Sequence, residues 1–441
     1  MLSIQTIREH TDAVRQACAD RQMDVPIDGI LGADTEYRAL LGEVERLRAE
    51  RNRASKAIGA AKDPDERQRM IAEQRAVGSE LDTLEGRLRE ADAALTSMLL
   101  QVPNLFDARV PLGGESDAVV VIEGDGRAGT ERTVDPHRRA ADEPAPADDP
   151  SRRPHWEIGE ALGLIDFERG AKVSGSRFYI LKGDAARLQR ALIAWMIDVH
   201  RGQGYTEVYV PFVVKEEMLV GTGQLPKFAE TMYRDIEDDL WLVPTAEVPV
   251  TNMYRDEIVP SSALPIQHVA YTPSFRRERM SAGRDVRGIK RGHQFDKVEM
   301  VRFTDEDGSW DALEQLVQDA LAIVRALGFQ YRVIRLASAD ITFASAMTYD
   351  IEVWAPGSRE WLEVSSVSNF LDFQARRANL RYRDAEGRVR HLHTLNGSGL
   401  ALPRVLATVL EQYERADGIE VPAVLRPYLS GLELIEAQPA Y

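Results

Sequence analysis

Between residues 77 and 98 the apolar side chains fall at Val77, Leu81, Leu84, Leu88, Ala91, Leu95 and Met98, alternately four and three apart. A 3.5-residue period kept up over that length draws a seam along one side of a helix, and a seam of this kind is buried only against another helix. Upstream, Tyr37, Leu41, Val44, Leu47, Ala54 and Ile58 fall mostly at the same spacings, with a polar interruption at position 51. Pro64 lies between the two runs; it can open a helix but cannot sit inside one. The spacing therefore predicts an antiparallel coiled-coil hairpin over residues 34–100 with its tip near 60–66. Each arm has about 26–35 residues and is on the order of 40–50 Å long. Residues 1–22 read as one short helix.

A chain of 441 residues can bury a large core and holds two or more domains. No apolar run reaches the ~18 residues of a membrane span. The start, MLSIQTIREHTDAVRQ, lacks the basic-then-apolar layout of a secretion signal. Cys18 is the single cysteine, so no internal disulfide forms, and the expected location is the cytoplasm. A net charge of −16 argues against diffuse nucleic-acid binding but leaves room for local cationic patches. One lies near the hairpin tip, where Arg46, Arg48, Arg51, Arg53, Lys56 and Lys62 face Glu50 alone. It is either a solvated coiled-coil face or an arm that touches phosphates.

Residues 124–153 contain no Leu, Ile, Phe, Tyr or Trp and read as a disordered loop. From His155 onward β-type runs (EVYVPFVV, LWLVPT, VEMVRF, YRVIRL, WLEVSSVSNF) alternate with helical stretches. The fold class is α+β on a mainly antiparallel sheet. The division is a helical unit over 1–104 and a second domain over 105–441.

Cations gather in FRRERMSAGRDVRGIKRGHQFDKVEM, residues 275–300, which carries eight Arg or Lys against four Asp or Glu. The run before FRRE and VEMVRF can pair as strands around the loop SAGRDVRG. Strand alternation puts Arg276 and Glu278 on one face, and Phe295, Lys297 and Glu299 on one face. If the faces coincide, the site can hold a nucleotide: Arg for phosphate, Phe for the base, Glu for amino groups. The bland alternative is a hairpin whose cations pair with its own acids. Neither GxxxxGK[ST] nor a GxGxxG in strand context occurs. In WLEVSSVSN, Glu363 and Ser366 offer hard oxygens suited to Mg²⁺ on ATP. HTLNGSGLALPRVLATVLEQYE reads as strand, Gly-rich turn and helix, with Arg404 near the helix start, a good place to bind phosphate.

Together these stretches resemble the class II aminoacyl-tRNA synthetases, and within them the seryl-tRNA synthetase family. FRRE…RGHQFDKVEM is similar to motif 2, LNGSGLALPRVLATVLE to motif 3, and VYVPFVV to the dimer-forming motif 1. GTGQLPKF, PTAEVPV, DFQARRANLRYRD and HWEIGEALGLIDFERGAKVSGSRFYILKGD resemble the seryl branch rather than the class. The resemblance implies ATP and Mg²⁺ as cosubstrate and metal, with L-serine and tRNA(Ser) as substrates and tRNA(Sec) left open. It implies a homodimer and no membrane partner. Arg276, Arg404 and Glu363 become catalytic residues. Thr245, Ala246, Glu247, Glu299, Asn396 and Ser398 surround the serine. Arg276, Arg277, Glu278, Arg291, Gly292, Phe295, Glu363, Val364, Ser365, Ser366 and Arg404 surround ATP, with Glu363 and Ser366 on Mg²⁺. The basic hairpin tip becomes the grip on the long variable arm of tRNA, and the loop after Arg276 lies near the acceptor end.

The chain departs from the family in that loop, where Arg277, Arg279 and Met280 stand in place of small residues. Two alternatives stay open on the sequence: a specialised paralogue, either an antibiotic-resistant duplicate or a biosynthetic enzyme that donates activated serine, and a non-catalytic RNA-binding relative.

Overall fold

Part of the expected seam comes together, with Leu40 in place of Leu41. A computed structural model of the chain describes residues 1–135, 137–143, 145–146, 149–278 and 287–438. It divides into two compact units, Met1–Pro103 and Asn104–Tyr441. In the first, helices α1 (Ile4–Glu9) and α2 (Thr11–Asp20) replace the single helix expected over 1–22. His10 leaves helical geometry between them, at φ −128° and ψ 40°. Helices α3 (Ile27–Ala60) and α4 (Pro64–Leu99) form the hairpin. Helix α3 starts before residue 34, because Ile27 and Ile30 are buried and extend its apolar side. Pro64 opens α4, and the Asp63 carboxylate caps it by accepting from the Asp65 N–H at 2.9 Å. Leu40, Val44 and Leu47 pack on Leu81 and Leu84. Towards the tip the seam turns polar: Gln74 donates to Arg51 O at 3.3 Å and to Ser55 Oγ at 2.5 Å.

The second unit is built on a mixed sheet of nine strands among the described residues. They are β1 (Val119–Asp125), β2 (Thr130–Thr133), β3 (Thr206–Glu207), β4 (Ile266–Phe275), β5 (Gln294–Thr304), β6 (Gln330–Arg335), β7 (Met347–Ala355), β8 (Glu360–Asn369) and β9 (His393–Ala401). Their order is β2-β1-β6-β7-β8-β9-β5-β4-β3, antiparallel except where β3 joins β4. The run EVYVPFVV is not one strand: it contributes β3 and a separate strand Val213–Lys215, with Pro211, which has no N–H to give a ladder, between them.

The helices used below are α5 (His155–Ala161), α6 (Gly183–Gly202), α7 (Glu216–Thr222), α8 (Glu247–Asn252), α9 (Ser309–Ala326), α10 (Phe373–Ala378) and α11 (Leu402–Gln412). α6, α9 and α11 bury apolar stripes against one face of the sheet, through Leu192, Leu316 and Leu406 among others. No helix among the described residues is long and apolar enough to cross a membrane.

The stretch 124–153, expected to be disordered, starts as β-structure. β2 pairs with β1 from Ile122–Thr133 to Asp125–Thr130. Its arginines then find carbonyls at the end of α11: Arg127 donates to Gln412 O at 3.0 Å and Arg152 to Glu414 O at 3.0 Å. A segment without large apolar groups can still order where helix C-terminal carbonyls need donors.

Candidate active site

On the sheet face opposite those helices lies a cavity of about 770 Å³. It is lined by Thr245, Glu247, Arg276, Glu278, Arg291, Gly292, Phe295, Glu363, Ser366, Asn396, Ser398 and Arg404, which the sequence places far apart.

Two β-bulges make this possible. Residues three apart in a regular strand face opposite ways. In β8 the partners run Glu352–Glu363, then Ile351–Ser365, so Val364 is an extra residue. The bulge turns Glu363 and Ser366 to the same side. In β9 the partners of Val298 and Glu299 are Leu400 and Ser398, so Gly399 is the extra residue. Ser398 and Asn396 therefore meet the cavity beside Glu299. The expected Gly-rich turn before α11 is thus a bulged strand that runs straight into the helix. A Cβ on Gly399 would come within 2.4 Å of His200 Nε2, which is why only glycine fits.

One end of the cavity holds two carboxylates. Glu299 is fully buried. It accepts from Asn396 Nδ2 at 2.9 Å and from Thr245 Oγ1 at 3.3 Å, and it pairs with the Lys297 ammonium. Glu247 accepts from the same Asn396 nitrogen at 3.1 Å and from Gln374 Nε2 at 2.6 Å. Burial, then the Glu299 charge, push the Glu247 carboxyl up to about 7. Two acids sharing one amide, beside a threonine and a serine hydroxyl, suit a small amine that also carries a hydroxyl.

The other end is cationic on one wall and acidic on the other. Arg276 Nε donates to Pro244 O at 3.3 Å, with its guanidinium 5.2 Å from the Phe295 ring centroid. Arg291 lies 3.7 Å from the Glu278 carboxylate. Arg404, in the first turn of α11, donates to Glu363 O at 2.6 Å and approaches its carboxylate to 3.2 Å. Burial would raise the Glu363 carboxyl, but the Arg404 charge and hydrogen bond outweigh it and hold it below the usual range. On the neighbouring strand β7, opposite Ser366, burial and the Glu363 charge push Asp350 well up, and its Oδ1 has no hydrogen-bond partner among the described residues.

Some expected positions lie elsewhere. β4 ends at Phe275, so alternation does not set Arg276 and Glu278; Glu278 has φ +43°, uncommon for a residue with a Cβ, and this backbone bend turns it into the cavity. Arg277 does not line the cavity: its guanidinium sits 5.0 Å from the Tyr233 ring centroid. Ala246 and Val364 pack in cores, and Ser365 Oγ donates to Ser398 O at 2.6 Å. Arg279 and Met280 lie outside the described residues. Two further residues that shape the site, Gln374 and His155 of α5, carry no signal of that role in the sequence. His155 Nε2 accepts from the Ile289 N–H at 3.2 Å, which leaves Nδ1 to donate to buried Glu411 at 2.8 Å. This pair pins the chain where it returns from the loop after Arg276. Gly288, at φ +77°, would carry a Cβ 2.1 Å from His155 Nε2. Both residues lie in stretches already singled out, HWEIGE and DFQARR, but Glu247 and Thr222 lie more than a hundred residues from Gln374, and Ile289 and Glu411 more than a hundred from His155, beyond any local pattern.

A mainly antiparallel sheet whose arginine-bearing hairpin, bulged acidic strand and strand-to-helix junction converge on one cavity defines a class II aminoacyl-tRNA synthetase core. Residues 228–413 match the family model of the tRNA synthetase class II core domain (G, H, P, S and T), and residues 1–106 that of the seryl-tRNA synthetase N-terminal domain. The chain is 54% identical over 444 residues to the serine--tRNA ligase of Thermomicrobium roseum, covering 100% of this chain and 96% of that protein. Among solved structures it is similar to seryl-tRNA synthetase from Pyrococcus horikoshii complexed with ATP, at TM-score 0.87 and 32% identity, covering 100% of both chains. It is also similar to cytoplasmic serine-tRNA ligase from Naegleria fowleri in complex with AMP, at TM-score 0.82 and 27% identity, covering 100% of this chain and 99% of that one. The chain belongs to the seryl-tRNA synthetase family.

Proposed function

We propose that the protein activates L-serine with ATP as seryl-adenylate and transfers the seryl group to tRNA(Ser). The observation that carries this reading is the single cavity with a paired-carboxylate end and an arginine end. The α-ammonium of serine meets Glu247 and Glu299. The serine hydroxyl finds partners among Thr245, Asn396 and Ser398, and the analogue that lacks it, alanine, leaves buried polar groups unpaired. Phe295 offers a ring to adenine, and Glu278 a carboxylate to its amino group. Arg276 lies where it can grip the α-phosphate, and Arg291 and Arg404 where they can hold the outer ones.

The serine carboxylate attacks the α-phosphorus in line and pyrophosphate leaves. Little covalent protein chemistry is needed; positioning and preorganised positive charge lower the barrier. The ionised Glu363 carboxylate and the Ser366 hydroxyl fit Mg²⁺, which when bound neutralises charge on the triphosphate. The terminal ribose hydroxyl of tRNA then attacks the adenylate carbonyl and AMP leaves.

The hairpin serves as the tRNA arm. Arg46, Arg48, Arg51, Arg53, Lys56 and Lys62 are all exposed. Only Arg46 and Arg48 form ion pairs among the described residues, with Glu50 and Glu85. Such a surface grips structured RNA through its backbone. A homodimer is supported by the apolar side chains that the motif 1 stretch leaves open, Tyr209 at 85% and Val213 at 45% exposure. The cytoplasm is the location that suits this reaction. Tyr233 and Thr231 hold Arg277, so the departure next to Arg276 leaves the cavity intact.

Aminoacylation of total tRNA with labelled serine tests the reading. Serine esterified to tRNA(Ser) is the expected result. Adenylate formation without any charging would overturn the transfer step and favour the paralogue that only uses activated serine.

A further inference from the structure

Gln374 of α10 is fully buried under the carboxylate end of the cavity, and it does not line the cavity. Its Nε2 spends both hydrogens, one on Glu247 Oε1 at 2.6 Å and one on Thr222 O, at the end of α7, at 3.1 Å. Its Oε1 accepts from Thr394 Oγ1 of β9 at 2.7 Å. These three partners fix which way the amide points. A flipped amide would set its oxygen against a carboxylate and a carbonyl.

Glu247 therefore has one oxygen on the Gln374 amide and the other on the Asn396 amide, and no cation pairs with it among the described residues. Its neighbour Glu299 has Lys297 instead. The charged groups that face Glu247 are Glu299 and Lys297 from β5 and Arg276 just beyond β4. The elements α7, α10 and β9 present the neutral Thr222, Gln374 and Asn396. Arg377, also on α10, turns away to the carbonyls of Val220 and Leu225. A buried carboxylate without its own cation must be held by neutral donors or take up a proton.

We propose that Gln374 is a positioning residue for serine capture: its amide keeps the Glu247 carboxylate ionised and turned into the cavity, ready for the substrate ammonium. The assignment rests on the proposed reading of the cavity as a serine site. Burial and Glu299 push the Glu247 carboxyl up, and the Gln374 hydrogen bond is the foremost influence holding it down. Without that bond Glu247 protonates at higher pH, and a protonated acid no longer offers a charge to an ammonium.

The test is serine-dependent pyrophosphate exchange by the full chain, with KM for serine and for ATP measured from pH 6 to 9. In the parent, serine KM rises as pH falls below about 7. In Gln374→Met, serine KM at pH 7 rises about tenfold, the loss of one hydrogen bond to a charged group, while ATP KM stays within a few-fold. The acid-side rise also moves to higher pH. A merely structural role would lower kcat or stability and leave the pH profile where it was. A folded Gln374→Met enzyme with the parental serine profile overturns the proposal. If Gln374→Met does not fold, Thr394→Val and Thr394→Ser decide: loss of the hydroxyl shifts the profile in the same direction and serine at 394 restores it, and an unshifted Thr394→Val profile overturns the proposal. Failure of the underlying reading looks different, because then the parent itself shows no serine-dependent exchange, or Glu247→Gln leaves serine KM unchanged.

Discussion

Glu247 and Glu299 share one amide, yet only Glu299 has an ammonium beside it. The difference has a cost that pH exposes. The Glu247 carboxyl is raised to about 7 in the folded protein. An acid raised on folding favours the native state below its unfolded value, and that contribution is lost as pH climbs through the folded one. At pH 8 the ionised, buried Glu247 is therefore a liability on the order of 3 kcal/mol. Glu247→Gln should raise the melting temperature at pH 8 and give little change at pH 4.5, while serine KM increases. A second expectation concerns Arg404, which holds both the carbonyl and the carboxylate of Glu363. Arg404→Ala should lower kcat of pyrophosphate exchange on the order of 10²–10³-fold and raise ATP KM, since a preorganised cation is removed from the developing charge. An unchanged rate would take Arg404 out of the ATP site.

At the scale of elements, the two bulges show what local reading can and cannot see. The pattern that marks Glu363 and Ser366 as a pair is visible in WLEVSSVSN, but a regular strand would send them to opposite faces. The extra residue at Val364 is set by pairing with β7, which no periodicity within β8 reveals. Glycine at 399 suggests a turn from its sequence alone; here it is dictated by His200, which lies 199 residues earlier and packs beside it. The hairpin is the opposite case. Its seam is written in a period of 3.5 residues, and its turn at Pro64 and its C-terminal end are legible there, whereas its start at Ile27 is not. Leu81 is fully buried in that seam. Leu81→Ala should cost about 2–5 kcal/mol of hairpin stability and appear as an early helical melting step by circular dichroism, with tRNA charging lost at that temperature. A melting curve that keeps its parental shape would mean that the seam is not what holds the hairpin.

The whole molecule carries a net charge of −16, so its cations are informative where they collect. Two of the places where they collect are the cavity wall and the hairpin tip. Screening acts strongly on the exposed tip and weakly on the buried wall. Raising salt should therefore weaken tRNA charging much more than pyrophosphate exchange. Arg51→Ala, Arg53→Ala and Lys56→Ala combined should raise KM for tRNA at least about tenfold and make its log–log salt dependence shallower by about two to three. A salt dependence identical to the parent would place the tRNA contact elsewhere. The fold class and the three motif clusters were legible because they are local strings with distinctive chemistry. Gln374, and the His155–Glu411 pair, were not, since a buried amide or imidazole gains its role only from partners that the fold brings in. Within 124–153 composition alone offers no core, yet residues 130–133 pair with β1, and Arg127 and Arg152 meet carbonyls at the end of α11, contacts that only the fold supplies.

The measurement that bears most directly on the account is pyrophosphate exchange by the purified chain with each of the twenty amino acids in turn. A cavity with two carboxylates, hydroxyl partners and a cationic wall predicts exchange with serine, at least ~10²-fold weaker exchange with threonine and alanine, and none with the others. Exchange driven by a different amino acid, or by none, would contradict it.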